Sequence, residues 1–123
     1  YGLYRAHGFY NPKLAERLIK VEDGFENPVK DKDLEILWDA LQNMFEVHHT
    51  SSSGEVRFRG LYIFSHDDET GKGKAHAHEL FDLVNTELKN KSNPPRSFDD
   101  YYPLPKQNSI VLPEGIQLKT FGV

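Results

Sequence analysis

Apolar residues at helical spacing define the clearest element of this chain. Leu34, Leu37, Trp38, Leu41, Met44 and Phe45 recur at i, i+3, i+4, i+7, i+10 and i+11. They predict a helix capped by Asp31 or Asp33 and running to Glu46. Burying these side chains would stabilise a domain by ~1.5–3 kcal/mol each before entropy is counted. A second stripe, Ala77, Leu80, Phe81, Val84 and Leu88, predicts a further helix. A shorter one begins at Asn11-Pro12, where Asn suits an N-cap and Pro the first helical position. Its narrow apolar face is Leu14, Ala15, Leu18 and Ile19.

Period-two patterning predicts the strands. Glu55 to Ser65 alternates through Val56, Phe58, Gly60, Tyr62 and Phe64, and Leu61 to Phe64 is continuously apolar, as in a central strand. For Phe58 and Tyr62 a core position is the favoured reading. Tyr1 to Tyr10 is aromatic-rich and reads as a strand whose glycines allow a bulge or a close backbone approach. Ile110 to Leu112 and Ile116 to Leu118 flank Pro113-Glu114-Gly115 as a hairpin. Glu22 to Lys30, Thr50 to Gly54, His66 to Lys74 and Lys89 to Arg96 read as loops, and Ser97 to Pro105 as extended chain. The resulting order, β-α-α-β-α-β-β, describes an α/β fold of the α+β kind, a small sheet with helices packed on it.

Composition narrows the function. The 123 residues fit one domain or a piece of one, and 37% hydrophobic content is too high for disorder. The absence of Cys removes thiol nucleophiles, disulfides and thiolate metal sites, and fits a reducing, cytoplasmic setting. No apolar run approaches the ~20 residues of a membrane span. A net charge of -4 argues against a free-standing nucleic-acid binder. Yet Asp31 to Glu46 alone holds five acids and one Lys, so the remaining sequence is neutral overall.

Three groups of residues could carry chemistry. His66, Asp67, Asp68 and Glu69 stand near His76 and His78, and imidazole with carboxylate can hold a metal. At a helix start, however, i and i+2 point in different directions. Gly71-Lys72-Gly73-Lys74 precedes a helix and offers free amides and charge to a phosphate, without the ending of a Walker loop. Arg5 and His7 share one strand face, Arg57 and Arg59 another, where guanidinium groups pair with phosphates and nearby rings stack on bases. Gly60, beside Arg59, would let another backbone come close. No catalytic triad, nucleophile elbow or dinucleotide fingerprint occurs.

Several blocks carry a family resemblance. YGLYRAHGF, LWDALQNMFE, RGLYIFSHD with AHAHELFDLV, PPRSFDDY and LPEGI follow one another in that order. Together they resemble the C-terminal half of the CRISPR-associated backbone subunit of subtype I-C Cascade, in the Cas-seven superfamily. The resemblance implies an RRM-like (ferredoxin-like) sheet, partial here, within residues 1–123 as the C-terminal portion of a larger domain. It also implies a subunit that polymerises along CRISPR RNA and presents the guide to target DNA, beside copies of itself and other Cascade subunits. Such a subunit is not the nuclease and needs no cofactor. Family members are about twice as long, and their first half carries an Asn-Pro-Asn-Gly-Asp-Pro-like motif and the first RRM strand. Tyr1 would then stand inside a longer protein. The family loop resembling Gly-Asn-Ala-Pro-Ala-His reads Gly71-Lys72-Gly73-Lys74-Ala75-His76 here.

The sequence therefore predicts an RNA-binding subunit that uses Arg5, His7, Arg57, Arg59, Lys72 and Lys74 on nucleic-acid backbone. Two alternatives stand beside it. One is a metal-dependent hydrolase or ribonuclease built on His66, Asp67, His76 and His78. The other is a protein-interaction module that uses the acidic helix Asp31 to Glu46.

Overall fold

A computed structural model describes residues 1–16, 19–21, 24–26, 28–47, 54–67 and 75–123. Two compact units divide the chain: His7–Phe58, and Tyr1–Ala6 together with Arg59–Val123.

In the unit His7–Phe58, α1 spans Pro12–Glu16. Asn11 starts it as its sequence predicts: the side-chain oxygen accepts the Lys13 amide at 3.0 Å. The apolar stripe expected to carry this helix through Ile19 is cut short. Ile19–Val21 forms β1 and pairs antiparallel with β2, Gly24–Glu26, inside the stretch expected to be a loop. Ile19 and Val21 are β-branched, and a five-residue helix has too few internal bonds to oppose a local hairpin.

Helix α2, Asp31–Val47, matches the prediction closely. Asp33 turns back so that its carboxylate accepts the Lys30 amide at 2.9 Å, while the Lys30 carbonyl accepts the amides of Asp33 and Leu34. Asp31 and Asp33 also set negative charge against the positive end of the helix dipole. The stripe is less covered than its spacing implies. Leu34, Trp38, Leu41 and Phe45 are half-buried, and Leu37 and Met44 remain 43% and 47% exposed.

The second unit holds every buried residue among those described. Strand β3, Leu61–His66, pairs antiparallel with β4, Ile116–Phe121, placing Leu61 opposite Phe121 and His66 opposite Ile116. Helix α3, Ala77–Asp82, packs Leu80, only 2% exposed, against Ile116 and Ala75, with Phe64, Leu83 and Leu112 around them. Leu118 is the remaining buried side chain.

Helices with antiparallel sheets make the fold mixed α/β, as expected, but several strands differ from the prediction. Ile116–Leu118 does not pair back onto Ile110–Leu112. Gly115, at φ +78°, turns the chain so that the Ile116 amide bonds the Pro113 carbonyl, and β4 runs along β3 instead. Residues 55–60 lie outside any strand. Arg57 folds onto Glu55, and regular pairing begins only at Leu61. Tyr1 to Tyr10 is not a strand either: its side chains make the contacts, and Tyr4 and Phe9 stay 92% and 77% exposed. Helix α3 stops well short of Leu88, because Leu88 bridges Tyr101 and the Glu87 carbonyl accepts the Tyr102 amide. Phe98–Asp100 forms a 3-10 turn within the segment expected to be extended. Among the described residues, no helix is long and apolar enough to cross a membrane.

Candidate nucleic-acid interface

The most developed cationic site surrounds Arg59. Its guanidinium carbon sits 4.3 Å from the centre of the Phe98 ring, within cation–π range. One terminal nitrogen lies 3.4 Å from the Tyr1 hydroxyl, and the Tyr1 ring is 6.3 Å from that of Tyr101. The Nε of Arg59 is buried with no hydrogen-bond partner among the described residues. A half-buried guanidinium held over the Phe98 ring and bonded to the Tyr1 hydroxyl sets a positive charge beside aromatic faces, the elements that phosphate and base contacts use.

The turn that presents Phe98 is held from below. The Asp100 carboxylate accepts the backbone amides of Arg96 at 2.8 Å and Ser97 at 3.0 Å. Those two bonds hold its carboxyl below the ordinary Asp range. The Lys89 amide donates to the Asp100 carbonyl at 2.9 Å, and the Leu88–Tyr101 bridge closes the loop. Lys89, Asn90, Asn93, Pro94 and Arg96 line a concave surface of about 590 Å³ on this loop. Sequence reading missed Phe98 as a partner of Arg59 and treated Lys89 to Arg96 as a break. Three cations in Lys89 to Arg96, followed directly by Phe98, Tyr101 and Tyr102, were the visible signal.

The other predicted cations are dispersed. Arg5 lies in the same unit as Arg59 but serves α3: its Nη1 donates to the carbonyls of Val84 at 2.6 Å and Phe81 at 3.3 Å. Those carbonyls lie at the negative end of the helix, which a cation complements. Arg57 and His7 belong to the unit His7–Phe58. Arg57 is 65% exposed and bonds one Glu55 oxygen through two nitrogens, each at 2.6 Å, which offsets its charge. His7 is exposed. The shared strand faces expected for Arg5 with His7, and for Arg57 with Arg59, do not form, because neither segment is a strand. Lys72 and Lys74 lie outside the described residues. A side chain at Gly60 would run into the Val123 side chain, with Tyr62 and Leu104 beside it, so the space the glycine leaves is taken by side chains.

The described members of the histidine cluster make separate contacts. The Asp67 carboxylate accepts a bond from the Gln117 amide group at 2.8 Å. His66 has a buried Nδ1 with no partner among the described residues. His76 and His78 stack at 5.7 Å with ring planes 10° apart, against the expectation that they diverge. The reason is local: His76 caps α3 in an extended conformation, so the pair is not governed by helical spacing. Among the described residues, no three His, Asp or Glu side chains come together as metal ligands. Asp68 and Glu69 fall outside those residues.

Tyr62 is half-buried, and its hydroxyl donates to the Pro105 carbonyl at 2.6 Å. Burial raises its phenol above the ordinary value. That bond ties β3 to the segment leaving the Phe98 turn.

Comparison with known proteins adds a family. The family model of the CRISPR-associated protein Cas7 matches residues 1–104. No curated protein matches the chain. The match runs from Tyr1 through α2, β3 and α3 and past the Phe98 turn, so it contains both sides of the Arg59 site. On that span, well over half its length, the chain belongs to the CRISPR-associated Cas7 family.

Proposed function

We propose that this chain is the C-terminal half of a non-catalytic, RNA-binding backbone subunit of the type I-C Cascade complex, with an RRM-like core completed by the first half. The subunit polymerises along the spacer part of CRISPR RNA and presents the guide for pairing with target DNA, in contact with copies of itself and other Cascade subunits. Guide pairing supplies sequence specificity, so the protein's task is to hold phosphate and shape.

The family match over residues 1–104 is the observation that carries this reading. Arg59 is the residue best suited to the contact, because Phe98 holds its charge in place while its hydrogen-bonding capacity is only partly used. Arg57, His7, Lys72 and Lys74 add longer-range attraction, and Arg5 acts through α3. The acidic face of α2, Asp31–Val47, repels phosphate and suits a protein neighbour.

Guide-RNA binding by the full-length protein, measured across a salt series, tests the assignment. Arg59→Ala should weaken binding to all sequences alike and reduce the slope of log K against log salt by about one. Arg57→Ala should change it less, since Glu55 already offsets that charge. Unchanged affinity and slope in the double variant would refute the phosphate role.

A further inference from the structure

Two neighbouring carboxylates in the Phe98 turn are used differently. Asp99 is exposed, and the bond it takes from the Lys89 Nζ at 2.7 Å goes to its carbonyl, not its carboxylate. Asp100 is half-buried, and its carboxylate turns back onto the chain. One oxygen accepts the amides of both Arg96, at 2.8 Å, and Ser97, at 3.0 Å. This is one arm of a capping box, with Ser97 extended at the N-cap and Asp100 three residues on. Phe98 lies between the two. Its own carbonyl accepts the Tyr101 amide at 3.1 Å, and the Lys89 amide ties down the Asp100 carbonyl at 2.9 Å. The backbone around Phe98 is therefore fixed on both sides, and on the leading side the Asp100 carboxylate does the fixing.

Arg59 depends on that fixing. A guanidinium on a long stem has many rotamers, and most are lost when it grips an anion. Here the loss has already been taken in the free protein. The guanidinium carbon rests 4.3 Å from the centre of the Phe98 ring, and a terminal nitrogen reaches the Tyr1 hydroxyl at 3.4 Å. The ring can hold it there only where the turn puts the ring. We propose that Asp100 is a positioning residue for RNA binding: without touching the RNA, it raises affinity by fixing Phe98 and, through Phe98, Arg59. This rests on the reading of Arg59 as a phosphate contact. The consequence has a sign that charge alone does not give. A carboxylate near a phosphate chain repels it, so simple electrostatics has binding improve when either acid is removed. Positioning has binding stay level or improve without the Asp99 carboxylate, and fall without that of Asp100.

The test is guide-RNA affinity of the full-length protein carrying Asp99→Ala, Asp100→Ala or Asp100→Asn, and Asp100→Ala combined with Arg59→Ala. Asp99→Ala should bind as well as the unaltered protein or better. Asp100→Ala should bind roughly threefold to tenfold more weakly, the effect of ordering one long side chain anew on each encounter. Asp100→Asn removes the same charge but keeps an acceptor oxygen for the two amides, and should recover most of that loss. With Arg59→Ala already present, Asp100→Ala should cost nothing further, because the group it positions is gone. A general loss of folded protein would weaken binding in both backgrounds. Unchanged or tighter binding by Asp100→Ala, an Asn variant as weak as the Ala one, or an equal loss without Arg59 would each overturn the proposal. If Arg59→Ala itself binds like the unaltered protein, the phosphate role fails and the proposal falls with it. If Arg59→Ala weakens binding and Asp100→Ala does not, the phosphate role stands and only the positioning role is refuted.

Discussion

Asp100 organises a turn with a single side chain. One of its carboxylate oxygens accepts two backbone amides, from Arg96 and Ser97, and so fixes the turn that seats Phe98 beneath Arg59. These bonds favour the charged carboxylate and hold its pKa below the unfolded value. The sign of the pH effect follows. The contribution to stability is fully present above the unfolded Asp value, about 3.9, and is lost as pH falls through the lower folded value. Asp100→Asn should remove that acid-side dependence. Melting temperatures of the two proteins should converge as pH drops below about 4, and curves that stay parallel would contradict the role. At this scale the sequence was half legible. The cation at Arg59 could be picked out, but its partnership with Phe98 could not, since the two meet only when the chain between them folds back through β3 and α3.

Helices and strands differ in how far their own residues decide them. α2 was readable because its pattern is long and its first turn carries its own cap, both local properties. α3 was readable only in part. Its apolar spacing continues to Leu88, but the Leu88 and Glu87 backbone is claimed by Tyr101 and Tyr102, and Arg5 takes carbonyls at its end. Those competitors are distant in sequence, so periodicity gives no sign of them. The hairpin at Pro113 failed for a similar reason: the turn exists, but the partner of β4 is β3. The small core makes α3 depend heavily on one side chain. Leu80→Ala should destabilise its unit by about 2–5 kcal/mol, read from urea unfolding. A cost below about 1 kcal/mol would mean that the cluster around Ile116 is not what secures the helix.

At the scale of the molecule, buried residues and pattern strength fall in different places among the described residues. The longest amphipathic helix lies in the unit His7–Phe58, whereas Ala75, Leu80, Ile116 and Leu118 all belong to the other. Amide exchange should therefore be slowest along β3, β4 and the first turns of α3, with α2 exchanging sooner despite its length. The opposite ranking, measured by mass spectrometry, would show that sequence pattern outweighs burial here. The clamp around the Phe98 turn carries a different consequence. The backbone bonds that close the 89–100 loop lie at its ends, at the Lys89 amide, the Leu88–Tyr101 bridge and the Asp100 carboxylate. From its middle only exposed groups reach out, Lys91 to Glu87 at 2.9 Å and the Ser92 amide to Asn90 at 3.0 Å. Its middle, Asn90 to Pro94, is exposed. Closing a loop costs chain entropy that grows only with the logarithm of its length, about 0.6 kcal/mol per doubling. A peptide tag spliced between Ser92 and Asn93 would thus barely shift the melting temperature. This makes the loop a natural place to attach a fluorophore or affinity handle without loosening the fold it hangs from.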